Sequence, residues 1–154
     1  MKKLTTVLGL VLLTITCSHA QNKNQMVWKV INPWEWQNQR SYVQAVEVKH
    51  AESTLYISGQ TAISADGASS NADMKTQLTL AIQNLEQVIS EAGYHPENIV
   101  RLNIYTTSTE ELLSCFNIFQ DWVAKHDIKQ ASTVLEVKGL FETLKVELEA
   151  TVVK

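Results

Sequence analysis

No cluster of lysine and arginine occurs anywhere past residue 20 of this 154-residue chain. Residues 1–20 hold two lysines and no acid, so setting them aside takes the formal net charge from −3 to −5. A groove that neutralises nucleic-acid phosphates needs many cationic side chains, so no nucleic-acid partner is expected. Cysteine is nearly absent, with only Cys17 and Cys115. If Cys17 leaves with a leader, Cys115 has no partner for an internal disulfide, and packing or assembly must supply the stability. Its place on an apolar helix stripe makes Cys115 a core residue. His50, His95 and His126 fall at loops or a helix end without ligand spacing, so no metal is expected. With 5 glycines and 2 prolines, the chain shows no linkers, repeats or low-complexity tracts.

The first twenty residues have the layout of a secretory signal peptide. Lys2 and Lys3 precede an apolar run from Leu4 to Ile15, and Ser18-His19-Ala20 offers a small-x-small cleavage site before Gln21. The run is too short for an ordinary membrane span. Cys17 raises a lipoprotein alternative, for which Thr14-Ile15-Thr16 is a poor match to the usual small-residue box. The expected product is exported, periplasmic or secreted, and free of the membrane after cleavage. Residues 21–36 form an N-terminal segment, and residues 37–154 one domain large enough for a core of its own.

Within the segment, Trp28, Trp34 and Trp36 surround Asn32-Pro33. Such indoles either cover an edge of the core or form an aromatic lid on a pocket. Tyr42–Val48 and Leu55–Ala62 alternate and flank the polar turn Lys49-His50-Ala51-Glu52, which reads as a hairpin. Gly59, inside the second strand, marks a bulge or a close backbone approach. Met74, Leu78, Ile82, Leu85, Ile89 and Ala92 recur at helical spacing, with Ser70 and Asp73 as a weak capping box and Gly93 as the stop. Ile99–Thr107 is a strand with Val100, Leu102 and Ile104 opposite Arg101, Asn103 and Tyr105. Ser108-Thr109-Glu110-Glu111 opens a helix running to His126, with Leu112, Cys115, Phe116, Phe119, Trp122 and Val123 as its stripe.

Residues 131–149 supply two more alternating strands. Read as a pair, they place Ser132, Glu136, Glu147 and Glu149 on one face. The order is β-β-α-β-α-β-β. Its simplest packing is an α+β two-layer domain, a single mixed sheet with two helices on its apolar face. The other face then presents Tyr56, Arg101, Asn103, Tyr105, Glu147 and Glu149, a mixed polar and aromatic surface suited to a homo-oligomer.

Several segments resemble the Rid (YjgF-like) family in order and spacing. They are Tyr42-Val43-Gln44-Ala45, Leu55-Tyr56-Ile57-Ser58-Gly59-Gln60, Ala92-Gly93, Ile99-Val100-Arg101, Ser132-Thr133 through Glu136-Val137, and Val146-Glu147-Leu148-Glu149-Ala150. The resemblance spans residues 40–154. It implies a chorismate-mutase-like fold assembled as a homotrimer, with a small-molecule cleft at each subunit interface. The well-understood relatives hydrolyse 2-imino acids to 2-keto acids and ammonia without metal or organic cofactor. Carried over by position, Glu147 orients the attacking water with help from Tyr42, and Asn117, Gly59 and Gln60 line the cleft. The family also uses an Arg to hold the substrate carboxylate, a role suited to a bidentate guanidinium.

That Arg is absent, and Ser132 stands in its place within Gln130-Ala131-Ser132-Thr133. Ser132 is expected as a binding contact and not as a nucleophile, since no base is placed beside it. Arg40 and Lys138 are the nearby cations that could replace the Arg. Glu147 and Glu149, two apart on a strand, share a face where close carboxylates raise one another's pKa, which suits proton transfer. The structural alternative for Glu147 is an ion pair with Arg101 or Lys145. Two functions remain open: an imine or enamine hydrolase without the usual carboxylate anchor, or a non-catalytic trimer binding a small metabolite or a protein partner.

Overall fold

A computed structural model describes residues 26–154. The expected signal peptide, Cys17 and the lead-in 21–25 lie outside the described residues. The elements in chain order are β1 (Val27–Ile31), a 3-10 turn (Trp36–Arg40), β2 (Ala45–Lys49), β3 (Thr54–Gln60) and α1 (Met74–Glu91). They are followed by β4 (Ile99–Thr106), α2 (Thr109–Ser114), α3 (Asn117–Lys125), β5 (Ala131–Glu136) and β6 (Val146–Val153). This is the expected α+β domain: a mixed four-stranded sheet, β3-β6-β4-β5, packed by helices on one face. Only β4 and β5 run parallel; β6 is antiparallel to both of its neighbours. No helix among the described residues is long and apolar enough to cross a membrane.

The two faces follow from alternation. Leu102 and Ile104 of β4 and Val146, Leu148, Ala150 and Val152 of β6 point into the core. They meet Leu78, Ala81, Leu85 and Ile89 of α1, all fully buried, and Phe119 of α3. Cys115 lies in this core as a free thiol, raised above its usual pKa chiefly by burial. Helix α1 is capped by Asp73, whose carboxylate accepts from the Thr76 N–H at 2.8 Å. Ser70 stands one turn too early, and its hydroxyl accepts from the Ala72 N–H instead. Gly93 ends the helix at φ +74°, the left-handed geometry expected of it.

Two pairings differ from the sequence reading. Residues 45–49 and 54–60 do not form a hairpin: β2 pairs antiparallel with β1, as a separate two-stranded ribbon. Ser53 exchanges two backbone hydrogen bonds with Lys154, which lays β3 along β6 instead. Nor are residues 131–136 and 146–153 a pair, because β4 lies between them. The parallel register sets Ser132 beside Leu102 and Glu136 beside Thr106, on the helix side of the sheet. Asn103 and Tyr105 stand opposite Glu149 and Glu147 on the open side. Ser132 and Glu136 are therefore on the opposite face from Glu147 and Glu149. Alternation fixes two faces within a strand, but a one-residue change of register between strands exchanges them.

The second helix is also broken. At Cys115 (φ −125°) the backbone leaves helical geometry: its N–H turns to the Leu112 carbonyl at 3.2 Å and the Phe116 N–H to the Leu113 carbonyl at 3.4 Å. The apolar stripe continues regardless, through ring contacts of Phe119 with Phe116 at 5.1 Å and Trp122 at 5.8 Å. Periodicity reports which side chains face inward, not whether the hydrogen-bond ladder is continuous.

One buried amide ties the layers together. Gln77 on α1 is fully buried, and its Nε2 donates to the Ser70, Ala72 and Thr143 carbonyls at 3.3, 3.0 and 3.2 Å. Its Oε1 accepts from the Lys145 N–H at 2.9 Å, just before β6. Replacing it by leucine strands backbone groups away from water. Urea unfolding of Gln77→Leu at fixed protein concentration should show a loss of about 1–3 kcal/mol. Leu113→Ala, at a residue 61% exposed, should stay within about 0.5 kcal/mol of the parent.

Candidate functional site

Glu149 and Glu147 project from the central strand β6 onto the open face, between β3 and β4. Glu149 is held in place. The same carboxylate oxygen accepts from Asn103 Nδ2 at 3.1 Å and from the Tyr105 hydroxyl at 2.8 Å. The Asn103 and Tyr105 donors favour the charged form and lower the pKa of Glu149, with Arg101 adding a smaller pull. Tyr105 is pushed up by the bond it gives to Glu149 and then by burial. Mutual elevation of the two carboxyls, expected from their spacing, is therefore reversed at Glu149, because its neighbours across the sheet are donors.

Glu147 is held differently. The β3–β6 register shifts between Ile57 and Gln60, which makes Gly59 the bulge residue expected. A Cβ built on Gly59 would lie 2.6 Å from Glu147 Cγ and nearer still to its carboxylate. The Glu147 side chain lies across the bare Cα, in space that any other residue at position 59 would fill. Among the described residues, Glu147 makes no side-chain hydrogen bond or ion pair. Both expected ion-pair partners are occupied elsewhere. Lys145 Nζ meets Glu111 at 2.7 Å, and Arg101 donates to Thr133 Oγ1 at 2.6 Å. Gln60 follows the bulge, donating to its own strand at the Ser58 carbonyl. With Gly59 it borders a hollow of about 740 Å³ between β3 and α1.

Tyr42 belongs to the other edge of the sheet. Val43 forms a parallel bridge with Ala131, and its N–H bonds to the Gln130 carbonyl at 3.0 Å. Gln130, fully buried, donates Nε2 to the Ser41 carbonyl at 2.8 Å. Tyr42 is thus fastened to the start of β5, level with Gln130, two residues before Ser132, and borders a hollow of about 390 Å³ against the end of α3. The Ser132 hydroxyl donates to the Leu102 carbonyl at 2.8 Å, so its proton is already committed. Asn117 is exposed at the first turn of α3.

The tryptophans do not cover the core, which contains none of Trp28, Trp34 and Trp36. Trp34 and Trp36 are 56% and 52% exposed and stack at 6.2 Å. Trp36 meets Tyr42 edge-on at 6.4 Å, and the Arg40 guanidinium lies 5.1 Å over the Trp36 ring. The 3-10 turn brings these side chains together, a juxtaposition that strand and helix periodicities do not register.

The predicted residues therefore fall into two groups on one chain. Glu147 and Ser132 are separated by two strand spacings and three residues along the strands, about 14 Å in the plane of the sheet, and they point to opposite faces. A small substrate cannot touch both within one chain.

A mixed sheet with helices on one face and a carboxylate-bearing open face defines an α+β protein of the chorismate-mutase-like kind. The chain belongs to the Rid family: residues 35–154 match the family model described as Endoribonuclease L-PSP. A RutC family protein of Aquifex aeolicus is 33% identical over 113 residues, which cover 73% of this chain and 88% of the relative. The structure of the Rid-family protein YyfB of Yersinia pestis superposes with a TM-score of 0.73 at 28% identity, over 82% of this chain and 98% of that one. Escherichia coli TdcF with bound serine shares the fold, with a TM-score of 0.62 at 23% identity over 73% and 87% of the two chains. The name of TdcF describes a reactive intermediate deaminase.

Two outcomes follow from this geometry. Gly59→Ala should unfold near the parent midpoint, since re-rotating Glu147 costs about 0.5–1.5 kcal/mol, while a crystal structure of the variant shows Glu147 displaced from the bulge. Because Glu149 has its pKa lowered on folding, it contributes stability above its unfolded value of 4.5, and that contribution disappears as pH falls through the folded value. Between neutral pH and the range below 4.5 the urea midpoint should therefore fall further in the parent than in Glu149→Gln.

Proposed function

We propose that this protein is a Rid-type hydrolase of small reactive imines or enamines, acting in a cleft completed by a neighbouring copy in a homotrimer. The carrying observation is Glu147, a carboxylate on the open face, seated by a glycine bulge and unengaged among the described residues. Its partner Glu149 is pinned by Asn103 and Tyr105, which leaves Glu147 as the acid available to a water. In this reading Glu147 takes a proton from water as the oxygen adds to the imine carbon. It passes that proton to nitrogen to give the carbinolamine, and then carries the hydroxyl proton to nitrogen as the carbon–nitrogen bond breaks, releasing the carbonyl compound and ammonia. Support for a shared cleft comes from the split between the Glu147–Gly59 and Tyr42–Ser132 groups, which only two copies can bring together. The leader layout supports action outside the cytoplasm.

The second reading, a catalytically silent trimer that binds a small metabolite or a protein partner, is favoured by Ser132, which carries no charge and spends its proton on Leu102. Ammonia release from 2-iminopropionate and 2-iminobutyrate, generated in situ, separates the two. Activity in the parent that falls by about 100-fold or more in Glu147→Ala is expected, the scale of a lost general base. Gly59→Ala should fall with it, and Gly59→Ala/Glu147→Ala should lose no more than Glu147→Ala. Silence in the parent with activity gained in Ser132→Arg would mean an intact cleft aimed at another ligand. Silence in every variant would sink the hydrolase.

A further inference from the structure

We propose that Arg40, stacked on Trp36, is the anion anchor of this site in place of the residue missing at position 132, and that Trp34 and Trp36 adapt the site to a 2-imino acid with an aromatic or large apolar side chain. The inference rests on the proposed hydrolase reading for its chemistry, and on the geometry around Tyr42 for its residues.

Three other cations are spoken for or distant. Lys129 pairs with Asp127 at 2.5 Å. Arg101 is tied to Thr133 and lies on the open face, opposite to Ser132. Lys138 follows the far end of β5, about 20 Å along the strand from Ser132. Arg40 is different. Among the described residues it forms no ion pair and no side-chain hydrogen bond, and its guanidinium is oriented by the indole beneath it. It directly precedes Ser41, whose carbonyl is bound by Gln130, and stands two residues before Tyr42, itself fastened to β5 by Val43. An Arg on this turn can therefore serve the same half of the cleft as an Arg on β5. Stacking limits its rotamers without using its N–H donors, which stay available for a bidentate carboxylate contact.

The same contacts specify the rest of the ligand. Trp34 and Trp36 present two stacked indoles, each about half exposed, continuous with Tyr42 through the edge-on contact. An exposed aromatic surface joined to a charged anchor fits a planar or bulky apolar group attached to a carboxylate. A methyl side chain would leave those rings in water.

The test measures binding separately from turnover. Pyruvate and phenylpyruvate, the keto acids with small and aromatic side chains, are titrated into the full protein by calorimetry. Phenylpyruvate should bind about tenfold tighter or more. Arg40→Ala should weaken both by about tenfold or more, with partial recovery in Arg40→Lys, and Trp36→Ala should erase the preference. Ammonia release is followed in parallel from imines generated from phenylalanine and alanine. Equal binding of the two acids, or unchanged binding in Arg40→Ala, overturns the inference even if ammonia is released. Selective phenylpyruvate binding that depends on Arg40, without ammonia release from either imine, upholds the anchor and overturns the hydrolase.

Discussion

Hydrogen bonding of Val146–Val153 on both of its edges is the constraint on which the rest depends. A central strand has one register with each neighbour, and each register fixes which side chains share a face. Because Leu148 and Ala150 point into the helices, Glu147 and Glu149 have to point away from them. The helices bury the first set; among the described residues no layer covers the second, which stays half-buried. The same strand therefore builds the core and delivers the acids.

The two acids differ because their neighbours differ. On the β4 side, Asn103 and Tyr105 are donors and saturate one oxygen of Glu149. On the β3 side, the bulge offers Glu147 room at Gly59 but no hydrogen-bond partner. A carboxylate with two fixed donors is a structural anion, whereas one lying over a glycine retains its lone pairs for a ligand or a water. The division of labour follows from sheet geometry, since both residues have the same type and lie two positions apart.

The opposite edge is arranged by a different device. The buried amide of Gln130 reaches the Ser41 carbonyl, and Val43 adds a single bridge to β5. These contacts dock an irregular segment that carries Tyr42, Trp36 and Arg40 as a group. Ser132, at the position of the family's cationic anchor, has turned to the backbone of β4. In the proposed site, the chemistry of this half falls to the turn before β2.

The sequence by itself determined the layers: the apolar stripes of both helices, the alternation of β4 and β6, the left-handed stop at Gly93 and the bulge at Gly59. These are local regularities, set by the 3.6- and 2-residue repeats and by what glycine alone permits. It did not determine which strands lie side by side, because alternation is the same for any partner. For that reason the expected hairpin of residues 42–62 and the shared face of Ser132 with Glu147 did not survive. Only the tertiary structure decided that β3 closes on β6, that Glu149 is bound and Glu147 is not, and that Arg40 rests on an indole beside Tyr42. Each of these depends on contacts between residues far apart in the chain or within an irregular turn, where no repeat exists to be read.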